Sequence, residues 1–325
     1  RRVGQLDKAR KLYETLLASY DNRIADSPEG IRTIGSLHQY LARLLSELKQ
    51  PVEAQRRWDE AITLYRKAIE LDPEYVRSYT SLGGVYIELG KPDEAIALFR
   101  KAIELDPECT AAHINWGVAL AIMGKLDEAI EHYRQAIALE PGNHLAHNGL
   151  AWACTNLAWG FATAAEASQR DPAKSVELAR EAVELQPDSA NNRGNLGVAL
   201  YRNDEFQAAV DALEKARELH RGDDPEHRFF LVMAYWKNGQ QDQALANYKE
   251  AALWMLQGDR GEEQRRFQGE AGEVLGLDPE ETIELLVETF GEQILQTPND
   301  PEPWLDRARP VSYTHLTLPT INGEC

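Results

Sequence analysis

The chain has 325 residues, 43% of them hydrophobic and 8% aromatic, with a formal charge of -18. That composition suits a helix-rich globular protein rather than a disordered one, and no stretch approaches the roughly 18 consecutive apolar residues of a membrane span. The acidity argues against nucleic acid as a partner, because phosphates are bound by clustered Lys and Arg that release counterions.

In chain order, GQLDKARKLYETL near the start reads as a single amphipathic helix, the second half of a helix pair, within residues 1–27. Residues 28–73 read as a pair with a lengthened second helix, because the small residues Ala54 and Ala61 are seven apart, about two turns, and keep one buried face. The phrase RKAIELDPE at 66–74 then returns unchanged at 100–108, and Pro73, Pro107 and Pro141 are 34 residues apart. Such a period marks helix-turn-helix repeats, which gives units at 74–107 and 108–141. The next unit, 142–187, is 12 residues longer. LAW at 150–152 returns at 157–159, so seven of these extend its first helix and five fall in ATAAEASQRDPAK. Units at 188–224 and 225–256 follow, and then an acidic helical capping or linker segment at 257–297. In PEPWLDRAR, within 298–310, a further first helix starts, with Trp304 at the aromatic site.

These residues resemble the tetratricopeptide repeat family. In the unit closing at Pro107, Leu82, Gly83 and Tyr86 fall at the family's first-helix sites, Gly90 at its turn, and Ala95, Phe99 and Ala102 at its second-helix sites. Alanine recurs at the last small site as Ala68, Ala102, Ala136, Ala182, Ala216 and Ala251. Val232 departs from the pattern, standing where the family has Gly or Ala, which puts that helix crossing in question. The resemblance implies an all-α solenoid of antiparallel helix pairs forming a right-handed superhelix. Stretches such as NLAWGFAT and HRFFLVMAYWKNGQQDQALANYKEA are similar to the C-terminal repeat arrays of large bacterial proteins, many of them linked to a serine/threonine kinase domain.

Both ends read as interrupted. The chain opens at Arg1 without an initiator Met, and VSYTHLTLPT at 311–320 resembles a translated sequencing adapter, which makes 311–325 a non-native tail and the whole a fragment. Cys109, Cys154 and Cys325 have no metal-ligand spacing and an odd count, which fits a reducing, cytoplasmic compartment.

No phosphate-cradling glycine loop and no kinase catalytic signature occurs, so the segment reads as non-catalytic and without a cofactor. His144 and His147 lie three apart, with His113 and His132 in the preceding unit. His113 and His147 fall at equivalent first-helix sites, however, and packing explains them without a metal. The family binds extended peptides or partner helices on the concave side, which the first helices line. By that analogy the groove comprises Arg77, Thr80, Ser81, Gly84, Ile114, Asn115 and Val118 in the earlier units. It continues with Asn195, Val198, Tyr201, Arg202, Phe229, Met233 and Trp236. Asn115, Asn156 and Asn195 each precede a large core residue, and a row of amides that both donate and accept resembles the asparagine ladder of glycosyltransferase-associated repeats. The implied function is a protein-interaction scaffold. The alternatives are a regulatory or targeting arm of a kinase or glycosyltransferase, and a self-assembling solenoid. The implied partner is a protein or peptide, including an intramolecular one upstream of Arg1.

Overall fold

Helices are the one regular structure that the described residues form, apart from a short 3-10 turn. The computed structural model describes residues 2–20, 27–220, 227–256, 261–277, 281 and 285. Residues 257–260 and 278–297 (except 281 and 285) of the predicted acidic segment, the predicted helix start at 298–310 with Trp304, and the tail with Cys325 lie outside them. The chain divides into two compact units, residues 1–153 and 154–325.

Unit 1 opens with α1 (Arg2–Tyr20), which packs on α2 (Pro28–Glu47). The helix pairs are α2 with α3 (Pro51–Leu71), α4 (Val76–Glu88) with α5 (Pro92–Leu105), and α6 (Thr110–Ile122) with α7 (Leu126–Leu139). The start of α8 (His144–Thr163) follows. Unit 2 holds the rest of α8, α9 (Pro172–Leu185), and the pairs α10 (Ala190–Arg202) with α11 (Phe206–Leu219) and α12 (Arg228–Lys237) with α13 (Gln241–Leu256). It ends with α14 (Glu262–Leu275). Among these, α8 has 20 residues where α4 and α6 have 13, and the 3-10 turn Ala167–Gln169 leads from it to α9.

Local chemistry explains the punctuation. After α3 and α5 the carboxylates of Asp72 and Asp106 accept the backbone N–H of Glu74 and Glu108, at 3.1 and 3.0 Å, which closes the turn that the ELDPE phrase encodes. Proline opens α2, α3, α5 and α9, where its missing N–H would have had no intrahelical partner. Ser27, Asp171 and Ser189 cap α2, α9 and α10 by accepting from Gly30, Lys174 and Asn192. Between paired helices the turn needs a left-handed residue, supplied by Gly90, Gly124 and Gly239, but by Lys49 and Asp204 in two of the pairs.

Packing follows the small-and-large pattern. All six closing alanines, from Ala68 to Ala251, are at most 1% exposed. Phe99 is fully buried, worth roughly 1.5–3 kcal/mol for a side chain of its size. Its ring lies so close to Gly83 that a Cβ there would meet it at 2.4 Å, so α4 and α5 approach at this distance only through glycine. Tyr133 fills the same role between Gly117 and Gly149. Between repeats, Ala42, Trp58, Ala61, Tyr65, Leu82 and Val85 form one cluster that joins α2, α3 and α4. Val232 is accommodated: it is fully buried while α12 and α13 still pack, and Tyr248 of α13 lies 6.4 Å from the Phe229 ring.

No helix among the described residues is long and apolar enough to cross a membrane.

Candidate partner-binding face

In unit 1 the first helices keep one stripe turned away from the core. On α4, Ser78, Leu82 and Val85 are buried, whereas Arg77 and Glu88 are exposed and Thr80, Ser81 and Gly84 half-buried. Both α2 and α6 flank α4, and Arg43 of α2 pairs with Glu88 at 2.6 Å. On α6 the matching stripe is Ala111, Asn115, Val118 and Ile122, and on α8 Leu145 and Trp152 stand opposite Ala111 and Val118 in the repeat. Ile114 departs from the expected lining, since it is turned into the core.

Three apolar members of this stripe escaped the sequence reading. Ile122 and Leu145 are each 57% exposed and Trp152 is 53% exposed. The signal was available in the 34-residue register, which aligns Arg77 with Ala111 and Leu145, and Gly84 with Val118 and Trp152. Polar and small residues at the α4 end thus give way to large apolar ones on α8. Thr80 turns its hydroxyl back to the carbonyl of Arg77, at 3.0 Å.

Unit 2 is different: Asn195, Val198, Tyr201, Arg202, Phe229 and Met233, expected to line a groove, have their side chains packed inside the unit instead. Asn195 is only 7% exposed. Its amide oxygen accepts from Nε2 of His227 at 2.8 Å and its Nδ2 donates to the carbonyl of Thr155 at 3.4 Å, so it ties α8, α10 and the start of α12 together. Asn192 does the same one turn earlier: its Nδ2 donates to the Ala182 carbonyl at 3.0 Å and its oxygen accepts from the Thr155 hydroxyl at 3.0 Å. Tyr201 is buried, 6.0 Å from the Phe230 ring, and burial pushes its phenol up to about 12, so the hydroxyl stays protonated. Arg202 donates through Nε to the carbonyl of Ala162 at 3.0 Å and grips the Glu270 carboxylate with both terminal nitrogens, one of them at 2.8 Å. Val198, Phe229 and Met233 are buried as well. Asn156 is exposed and Trp236 half-buried.

Helix α14 lies against Arg202 and Phe230 of this face. Phe267 is 1% exposed and lies edge-on to Phe230 at 4.7 Å and to Trp159 at 5.9 Å. Arg266 donates to the Thr163 carbonyl at 2.6 Å. The helix stops at Gly276, in the left-handed conformation, with Leu277 N–H closing on the Gly272 carbonyl at 2.9 Å.

His113 and His147 serve the repeat turn. Nε2 of His147 bonds the carbonyl of Pro141 at 2.8 Å, the Tyr79 hydroxyl donates to Pro73 at 2.9 Å, and Nε of Arg193 donates to Pro187 at 3.4 Å. His113 bonds Pro107 in the same way, so one position in four units latches the start of its first helix to the preceding proline. His132 stacks on Trp116 at 4.2 Å, and burial with the neighbouring His113 lowers its pKa to about 4. Among the described residues no group of three His, Cys, Asp or Glu is placed to hold a metal.

Tetratricopeptide repeat models match residues 32–108, 110–143, and 162–224 with 195–263. Solved structures that resemble the chain include MamA, 23% identical over 53% of this chain and 94% of that one, with a TM-score of 0.41. Another is YrrB, described as a TPR protein with an unusual peptide-binding site, 20% identical over 57% of this chain and 86% of that one, at 0.41. A third is a MamA fragment from Desulfovibrio magneticus RS-1, 14% identical over 57% and 97%, at 0.44. No curated protein matches the chain.

Proposed function

Because the chain belongs to the tetratricopeptide repeat family, we propose that it is a protein-interaction scaffold that holds an extended peptide or a partner helix along the first-helix face of unit 1. The observation that carries this reading is the exposure of Ile122 on α6 and of Leu145 and Trp152 on α8, along the outward stripe of two successive first helices. Isolated exposed apolar side chains are ordinary, but a set along one stripe of successive first helices is what a docked ligand covers. Arg77, Thr80, Ser81 and Asn115 border it with donors and acceptors, and the Asn115 amide supplies both. Trp152 is the anchor, since tryptophan dominates the energetics of such contacts.

The reading assigns no catalytic step to this segment. Among the described residues Cys154 and Cys109 are not joined in a disulfide, which goes with a reducing compartment.

The test is to select peptides from a displayed random library on the full chain and then place a photo-crosslinking residue either at Asn115, on the stripe, or at Glu131, on α7. Selected peptides should crosslink from Asn115 and not from Glu131. Crosslinking from Glu131 alone would refute the assignment.

A further inference from the structure

Unit 2 contains a second surface of this kind, already filled by the chain itself. We infer that the face formed by α8, α10 and α12 is a binding site for an amphipathic helix that carries an aromatic residue followed three positions later by a carboxylate, with α14 as its internal stand-in. This surface is separate from the unit 1 stripe and does not depend on that reading.

The chemistry of the seat is displayed by its occupant. Phe267 enters an aromatic recess made by Trp159 of α8 and Phe230 of α12, both ring pairs being edge-to-face. Glu270, one turn on and therefore on the same side of α14, reaches Arg202 of α10 in a two-point contact that a carboxylate satisfies and an amide does not. The guanidinium of Arg202 lies 5.0 Å from the Phe230 ring, so the ionic and aromatic parts of the seat are continuous. Together they specify an aromatic residue and an acidic residue at i and i+3.

Two features show that α14 is not the best ligand for this seat. Gln268 is 1% exposed, yet neither its amide nitrogen nor its amide oxygen has a hydrogen-bond partner. Its desolvation is therefore uncompensated while α14 is docked, a penalty that a ligand with an apolar residue there avoids. The seat is also basic. Arg170, which donates through Nε to the Ala164 carbonyl at 2.8 Å, has its pKa lowered by burial and by the nearby Arg202 and Arg266, with Glu270 opposing them. A helix with a further carboxylate would add to the opposition that Glu270 supplies, so the seat favours an acidic helix.

The experiment uses the full chain and a fluorescent peptide of residues 261–277 that carries Gln268→Leu. In wild type α14 competes with the peptide. In the Phe267→Ala/Glu270→Ala chain it no longer holds the seat, and the peptide should bind about tenfold tighter or more. Adding Arg202→Glu to that chain should remove the gain. A folded double variant that binds the peptide no better than wild type, or that binds a scrambled peptide equally well, overturns the proposal. Should the double variant fail to fold, hydrogen exchange on wild type decides. Exchange of α14 amides about tenfold or more faster than those of α10 supports a displaceable stand-in, and exchange in step with α10 overturns it.

Discussion

Arg202 on α10 and Glu270 on α14 stand 68 positions apart in the chain and meet in a two-point ion pair whose arginine side chain is only 8% exposed. Removing either partner strands the other in a poorly hydrated site. Glu270 is 23% exposed, which moderates the loss, so Arg202→Ala or Glu270→Ala should each cost about 2–3 kcal/mol in urea unfolding. A double-mutant cycle should return a coupling of about 1–3 kcal/mol. Coupling near zero would mean that Arg202 is held by the Ala162 carbonyl instead.

Adjacent glycines on α4 make opposite predictions. A Cβ on Gly83 would meet the Phe99 ring at 2.4 Å, whereas one on Gly84 finds its nearest neighbour, Nε2 of Gln39, at 4.0 Å. Gly83→Ala should destabilise by about 1–3 kcal/mol and be partly rescued by Phe99→Leu. Gly84→Ala should stabilise by about 0.5–1 kcal/mol, through helix propensity alone. Thermal melts of the three variants check the pair.

The turn between α2 and α3 holds Lys49 at φ 59, where the turns at Gly90, Gly124 and Gly239 have glycine. Lys49→Gly removes a left-handed strain of about 1 kcal/mol and should raise the midpoint of chemical unfolding. The reverse substitution, Gly90→Ala, should lower it by a similar amount, because Gly90 sits at φ 68.

His132 makes stability depend on pH. Its pKa is lowered from 6.5 to about 4, first by burial and then by His113, so the folded chain binds this proton less readily than the unfolded chain does. Stability from this site is therefore complete above about pH 6.5 and is lost as pH falls from there toward 4. Glu128 and Glu131 oppose the shift without cancelling it. In melts across that window the wild-type midpoint should fall more steeply than that of His132→Gln; parallel curves would contradict the assignment.

The repeat architecture was legible because it is local. The period that relates Pro73, Pro107 and Pro141, with glycine and alanine opposite Phe99 and Tyr133, places each helix against its sequence neighbour. The seat of α14 was not legible. It depends on Arg202 meeting Glu270 and Arg266 meeting Thr163, 103 positions away, and no periodicity encodes which face a terminal helix selects. Asn195 shows the same limit. An asparagine before a core leucine reads identically whether it faces a groove or is buried, and here His227 from the next unit decides. Trp152 was hidden for a local reason: LAW occurs twice within α8, at 150–152 and 157–159, and the repeat alone does not say which tryptophan is turned outward.

The central claim is that the unit 1 stripe is the binding face, and peptide affinity measured by calorimetry tests it most directly. Take the tightest peptide selected on the full chain and compare wild type with Leu145→Ala/Trp152→Ala. Both side chains are more than half exposed, so the variant should keep its unfolding midpoint. The account predicts an affinity loss of about 30-fold or more, the equivalent of roughly 2 kcal/mol for a tryptophan anchor. Unchanged affinity in a variant with unchanged stability would contradict it.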